Sequence, residues 1–200
     1  MIISSSVLLS PHNLINFKMC AGSVLSESLA LSRPETKNTT DVVAYFMIQL
    51  TEYQNRKIFW FDYEKFDLEK LPVKDWLCLA ISNSKTIDSK FDGFVKYSIE
   101  NRILEFKSNG QFGENLHHLF DTIMIDIEIS EGIDFINIMT TGSNNELLED
   151  TLWQCFFATC LPKDADFDKI SIVCMDIDGI DRKIELTNII KRFEDGWLPS

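Results

Sequence analysis

Trp76-Leu77-Cys78-Leu79-Ala80-Ile81-Ser82 is a short run without a charge, as a strand buried on both faces should be. The segments after it set the architecture. Phe91, Phe94, Val95, Ser98 and Ile99 fall on one face at helical spacing, so a helix is expected over 89–101 with Ser89 as its N-cap. RILEFK (102–107) reads as a second strand. After Gly110 and Gly113 a helix over 114–128 is expected to bury Leu116, Phe120, Ile123 and Ile127. DFINIM (134–139) reads as a third strand. Ser143-Asn144-Asn145-Glu146 has capping-box spacing and opens a helix over 146–161, closed by Pro162. KISIVCM (169–175) is the fourth strand. A last helix over 181–195 would bury Leu186, Ile189, Ile190 and Phe193 before Gly196 and Pro199 stop it. Strands that alternate with helical crossovers lie parallel, with right-handed connections. The pattern predicts an α/β protein, a three-layer sandwich of the Rossmann/flavodoxin-like kind with a mainly parallel four-stranded sheet.

Outward from that core the signal weakens. Residues 41–66 are aromatic and β-branched around the polar turn Gln54-Asn55-Arg56. Two strands, or a helix followed by a strand, fit them equally, and either would extend the sheet at its edge. Residues 1–40 are rich in Ser, Thr and Asn and read as an irregular N-terminal arm, leaving 41–200 as a single α/β domain. The start lacks a basic region ahead of its apolar residues, which argues against a secretory leader. Met1 and Met19 are both candidate starts.

Of 200 residues 45% are hydrophobic, enough for a core. Neither a membrane span nor a signal for one is expected. The net charge of −12 disfavours a sequence-independent grip on nucleic acid. That charge is uneven. Residues 1–100 hold 11 basic and 12 acidic side chains, and residues 101–200 hold 8 and 19. Such a field repels polyanions and attracts a basic partner. The five cysteines match no metal or redox spacing, so reduced buried thiols are expected.

In a parallel sheet, ligands sit beyond the carboxyl ends of the strands, where the strand order reverses. Four small polar loops occupy those positions, and from three of them come candidate ligand-binding residues: Ser82 and Asn83, Asn109 and Gly110, and Thr141, Gly142 and Ser143. The fourth loop is Asp176-Ile177-Asp178-Gly179. The same composition also serves any tight strand-to-helix turn. His117 and Asp121, four apart on one helix, could share a metal or a proton, or simply form a solvated face. Trp153 and Phe157 lie on a helix apolar on more than one face, so they either pack on another element, such as the 41–66 segment, or are candidates for a partner contact or a homodimer. Gly179 as the sixth position of a calcium loop would put Cys174 first, a poor ligand, and that reading fails.

The strand ending in Asp176-x-Asp178-Gly179 resembles the first motif of haloacid-dehalogenase-like phosphohydrolases. The resemblance implies Asp176 as nucleophile, Asp178 as general acid/base and Mg²⁺ between them and the phosphate. It covers about ten residues, and the departures are two. That family carries the motif on its first strand, whereas only 21 residues follow Gly179 here, and Ile180 replaces the usual Thr or Val. Separately, LEFKSNGQFGENLHHLFD (104–121) and LLEDTLWQCFFATCLP (147–162) resemble an uncharacterised bacterial family of small α/β proteins. Its marks are a Leu-His-x-x-Phe-Asp helix and a Trp-Gln-Cys-Phe-Phe-Ala helix. The resemblance spans about 75–190 and implies a cytoplasmic, single-domain protein, with no activity or catalytic residue to carry over.

Two functions compete. One is an acidic non-catalytic interaction or regulatory protein, immunity- or adaptor-like, with a basic or apolar protein partner and no cofactor. The other is a magnesium-dependent phosphohydrolase or nucleotide-binding protein that uses the strand-end loops.

Overall fold

The alternatives at 41–66 resolve into a hairpin in the computed structural model, which describes residues 47–134, 136–166 and 169–199. Strand β1 (Met47–Tyr53) pairs antiparallel with β2 (Arg56–Phe61). The two residues between them, Gln54 and Asn55, have φ of 51° and 60°. A two-residue turn with positive φ at both positions matches the right-handed twist of its strands. The expected arm 1–40, together with Cys20, lies outside the described residues.

Beyond the hairpin the βα alternation is as expected in order and shifted in detail. The elements are β3 (Trp76–Ile81), α1 (Lys90–Glu100), β4 (Ile103–Asn109), α2 (Gly113–Glu131), β5 (Met139–Gly142), α3 (Leu148–Phe157), β6 (Ser171–Asp176) and α4 (Lys183–Glu194). The sheet has six strands in the order β1-β2-β6-β3-β4-β5, not four. All neighbours after the hairpin are parallel. Thus the hairpin adds two strands, of which β2 is internal and only β1 is an edge.

Two expectations need correction. The third strand is not 134–139. Ile136 donates its N–H to Glu128 Oε1 at 2.6 Å, and the Ile138 N–H turns back to the Ile136 carbonyl. Those donors are engaged before pairing begins, so the strand starts at Met139. The capping box at Ser143 forms in part, with Ser143 Oγ accepting the Glu146 N–H at 3.1 Å, but the helix starts only at Leu148. Helix α2 runs three residues past its expected end. Gly132, at φ 67°, closes it, and the Ile133 N–H reaches the Glu128 carbonyl.

Strand residues alternate between two apolar clusters. Leu77, Leu79, Ile172 and Cys174 join Leu152 and Phe156 of α3 and Leu186, Ile190 and Phe193 of α4. Trp76, Cys78, Val173 and Met175 join Phe91 and Phe94 of α1 and Leu116 and Phe120 of α2. Phe106 and Phe120 stack with ring centroids 4.3 Å apart. Burial of this aromatic surface is the main stabilising term, since a buried Phe gains roughly 2 to 3 kcal/mol over an exposed one. Cys78, Cys155 and Cys174 are buried thiols and Cys160 is exposed, all free. Burial pushes Cys155 up to about 12, so it stays a neutral thiol.

One polar strip breaks the apolar rule. Glu105, Lys107 and Asn109 alternate along β4 and are all buried. Lys107 Nζ pairs with Glu105 Oε1 at 2.6 Å, while Glu105 Oε2 has no partner among the described residues. Arg56 reaches the Cys155 carbonyl at 2.6 Å. Such a pair gains little net stability, because desolvation offsets its attraction, but losing one partner leaves a buried charge. Among the described residues, no helix is long and apolar enough to cross a membrane.

Candidate functional site

The carboxyl ends of the parallel strands form a rim, and its two halves differ. In the β4/β5 half the loops close on one another. The Phe112 N–H donates to the Ser82 carbonyl and the Gln111 N–H to Asn83 Oδ1. A Cβ on Gly110, at φ 101°, would stand 2.5 Å from the Ser82 oxygen. A Cβ on Gly142 would stand 2.5 Å from that of His117, and one on Gly113 would collide with the Ser143 carbonyl. Asn109 commits its amide to Thr151 Oγ1 at 2.7 Å and to the Glu146 carbonyl at 2.9 Å. Even the first turn of α2 is occupied: the Glu114 N–H donates to Asn144 Oδ1 at 2.9 Å. These contacts pack the loops against one another and commit the polar groups a ligand would use.

The other half is open. Strand β3 has β4 on one side and β6 on the other, so the order reverses between β3 and β6. At that reversal lies a crevice of about 570 Å³, lined by Tyr63, Glu64, Asn83, Asp88, Lys90 and Asp178 among others. Ligand sites favour this position in parallel sheets. The Asn83 N–H donates to Asp178 Oδ2 at 2.6 Å, which ties the β3 and β6 loops together. Tyr63 Oη donates to Asp88 Oδ1 at 2.8 Å, and Lys90 Nζ stands 3.7 Å from Asp88 Oδ2. Burial, then the bond to Asp88, raises the Tyr63 phenol well above its ordinary range, so it remains a donor. Three carboxylates against one lysine make the walls negative.

Of the residues expected at a site, the crevice takes Asn83 and Asp178, with Ser82 buried behind them. Asn109, Gly110, Thr141, Gly142 and Ser143 belong to the closed half, and Thr141 and Gly142 lie within β5 itself. Asp176 is 1% exposed. Its Oδ1 accepts the Asp178 N–H at 2.8 Å and its Oδ2 pairs with Arg182 Nε at 2.5 Å. With Asn83 on Asp178, three of the four oxygens of this pair already hold protein donors. The pairing with Asp176 and Glu185, set against partial burial, raises Arg182 further. Trp153 is partly buried against the cluster of α3 and α4, whereas Phe157 is 47% exposed and packs on Trp153 with ring centroids 4.8 Å apart and planes tilted by 35°.

Tyr63, Glu64, Asp88 and Lys90 were not among the expected residues. Tyr63 and Glu64 follow β2, whose carboxyl end joins the rim because β2 runs parallel to β6. Recognising 56–61 as a parallel strand would have exposed them to the same strand-end argument. His117, Asp121 and Thr140 form a closed triangle. His117 Nε2 is 3.2 Å from Asp121 Oδ2 and 3.1 Å from Thr140 Oγ1, and Thr140 donates to Asp121 Oδ1 at 2.7 Å. The hydroxyl is held by the carboxylate itself, so this is not a nucleophile–base–orienter relay.

No curated protein and no solved structure matches the chain. A family model described as a domain of unknown function, DUF7684, matches residues 58–193, from the second strand of the hairpin through the last helix, and the chain belongs to that family.

Proposed function

We propose that the chain is a non-catalytic interaction protein, immunity- or adaptor-like, that receives a cationic side chain of a protein partner in the crevice between β2, β6 and β3. The observation that carries this reading is the crevice lining, where Glu64, Asp88 and Asp178 outnumber Lys90. A lysine or arginine entering it meets three carboxylates, whose combined field attracts a cation. Ile180 lines the crevice at 49% exposure, which suits an apolar residue flanking the cation. The acidic C-terminal half adds long-range attraction for a basic partner. The fold that fits is a three-layer sandwich with α1 and α2 on one side of the sheet and α3 and α4 on the other. A cytoplasmic, bacterial setting goes with this reading.

The commitment of Asp176 to Arg182 and the backbone favours this reading over phosphoryl transfer, which needs an accessible nucleophile. A titration of fluorescent peptides carrying Arg-Arg or Lys-Lys flanked by Leu, at low and high salt, tests it. Binding should weaken about tenfold in Glu64→Gln/Asp178→Asn and fade as salt rises. Peptide affinity that ignores both substitutions would sink it. A thermal shift with Mg²⁺ and a nucleotide panel, in which stabilisation disappears in Asp176→Asn, would instead support the enzyme reading.

A further inference from the structure

Residues i, i+1 and i+4 of an α-helix fall within one arc of about 100°. On α2 that arc holds His117, His118 and Asp121, with Asp121 between the two imidazoles. One ligand atom from each lies within 4.8 Å of the others. The two rings face each other with centroids 5.1 Å apart and planes 30° from parallel. His117 is anchored from behind, because the backbone of Gly142 on β5 lies so close that a Cβ there would stand 2.5 Å from His117 Cβ. His118 is exposed, and His117 and Asp121 are partly so, which leaves the group open to an ion from solvent.

We propose that His117, His118 and Asp121 form a binding site for a divalent cation of the zinc class, with solvent completing the coordination shell. Two imidazole nitrogens and one carboxylate oxygen suit Zn²⁺, Co²⁺ or Ni²⁺, whereas Mg²⁺ and Ca²⁺ take oxygen shells. Zinc–ligand bonds of roughly 2 Å set neighbouring ligands about 3.4 Å apart, so separations of up to 4.8 Å close by side-chain rotation. The exposed His118 ring has that freedom. Thr140 acts as the outer partner: its hydroxyl holds Asp121 Oδ1, so Oδ2 is the oxygen left for the cation, which takes the place of the proton shared between Oδ2 and His117 Nε2 at 3.2 Å. The site lies at the α2/β5 edge and shares no residue with the crevice, so the two proposals stand or fall separately.

The test is a titration of the untagged full chain with Co²⁺, followed by visible absorption, and with Zn²⁺, followed by calorimetry. One equivalent should bind, with an affinity that drops more than about tenfold in His118→Ala and in Asp121→Asn. His118 is exposed, so its truncation keeps the fold, and circular dichroism checks this. His12→Ala and Cys160→Ser should bind like the parent chain. No saturable uptake below millimolar metal, a loss smaller than tenfold in His118→Ala, or a loss in either control would overturn the assignment.

Discussion

The two halves of the strand-end rim are built from the same kinds of residue, yet one is filled and the other open. In the β4/β5 half, glycines at 110 and 113 let backbones approach closer than any side chain permits, and Gly142 makes room for the Cβ of His117. Asn109 and Asn144 then occupy the donors and acceptors that remain. In the β2/β6/β3 half the three atoms nearest a Cβ on Gly179 all belong to the flexible side chain of Glu64. The loops there are tied by one bond from Asn83 to Asp178 and leave a crevice beside it. Small polar loop residues therefore mark a rim but not a site. What separates the two is whether glycine faces atoms fixed to the backbone or the far end of a flexible side chain.

The comparison can be broken by substitution, and the largest effect is expected at Gly110. Gly110→Ala drives a Cβ into the Ser82 carbonyl at a φ of 101°, and should cost about 4 kcal/mol in chemical denaturation. A loss below about 1 kcal/mol would mean the closed half yields easily. Next is Asp176→Asn, which leaves Arg182 facing a neutral, buried amide and should cost about 3 kcal/mol. Because Asp176 supports the loop without lining the crevice, peptide affinity should survive wherever the variant is folded. Asn109→Ala removes the donor to Thr151 Oγ1 and leaves the Glu146 carbonyl without its Asn109 bond, at about 2 kcal/mol. Gly179→Ala suffers only from its positive φ, about 1 to 2 kcal/mol, since Glu64 can swing aside. A cost equal to that of Gly110→Ala would erase the distinction between the halves.

The smallest effect is at Tyr63. Tyr63→Phe should cost about 1 kcal/mol near neutral pH by removing the bond to Asp88. Its pH dependence is sharper. The folded phenol titrates above the ordinary 10.0, so the stability it contributes is complete below that pH. Above pH 10.0 the unfolded chain sheds the proton first and the contribution falls as pH rises. Denaturation midpoints measured from pH 8 to 11 should decline more steeply in the parent chain than in Tyr63→Phe.

Most of the helices were legible because each presents one apolar stripe. Phe91, Phe94, Val95 and Ser98 are buried on α1 as their spacing implies, as are Leu186, Ile189, Ile190 and Phe193 on α4. The third strand was misplaced because Ile136 and Ile138 are apolar for packing while their backbone pairs elsewhere. The buried strip of Glu105 and Lys107 was also hidden. Alternating charges read as a wet face until a helix is known to cover them.

The alternation of strand and helix from 76 to 195 is written in the chain itself, since local periodicity records which face each element must bury. So is the expectation that ligands should be sought where the strands end. Strand order came only with the folded molecule, because pairing β6 with both β2 and β3 depends on contacts more than a hundred residues apart along the chain for β2 and about ninety-five for β3. That long-range pairing brings Tyr63 and Glu64 beside Asn83 and Asp178, and so it places the crevice.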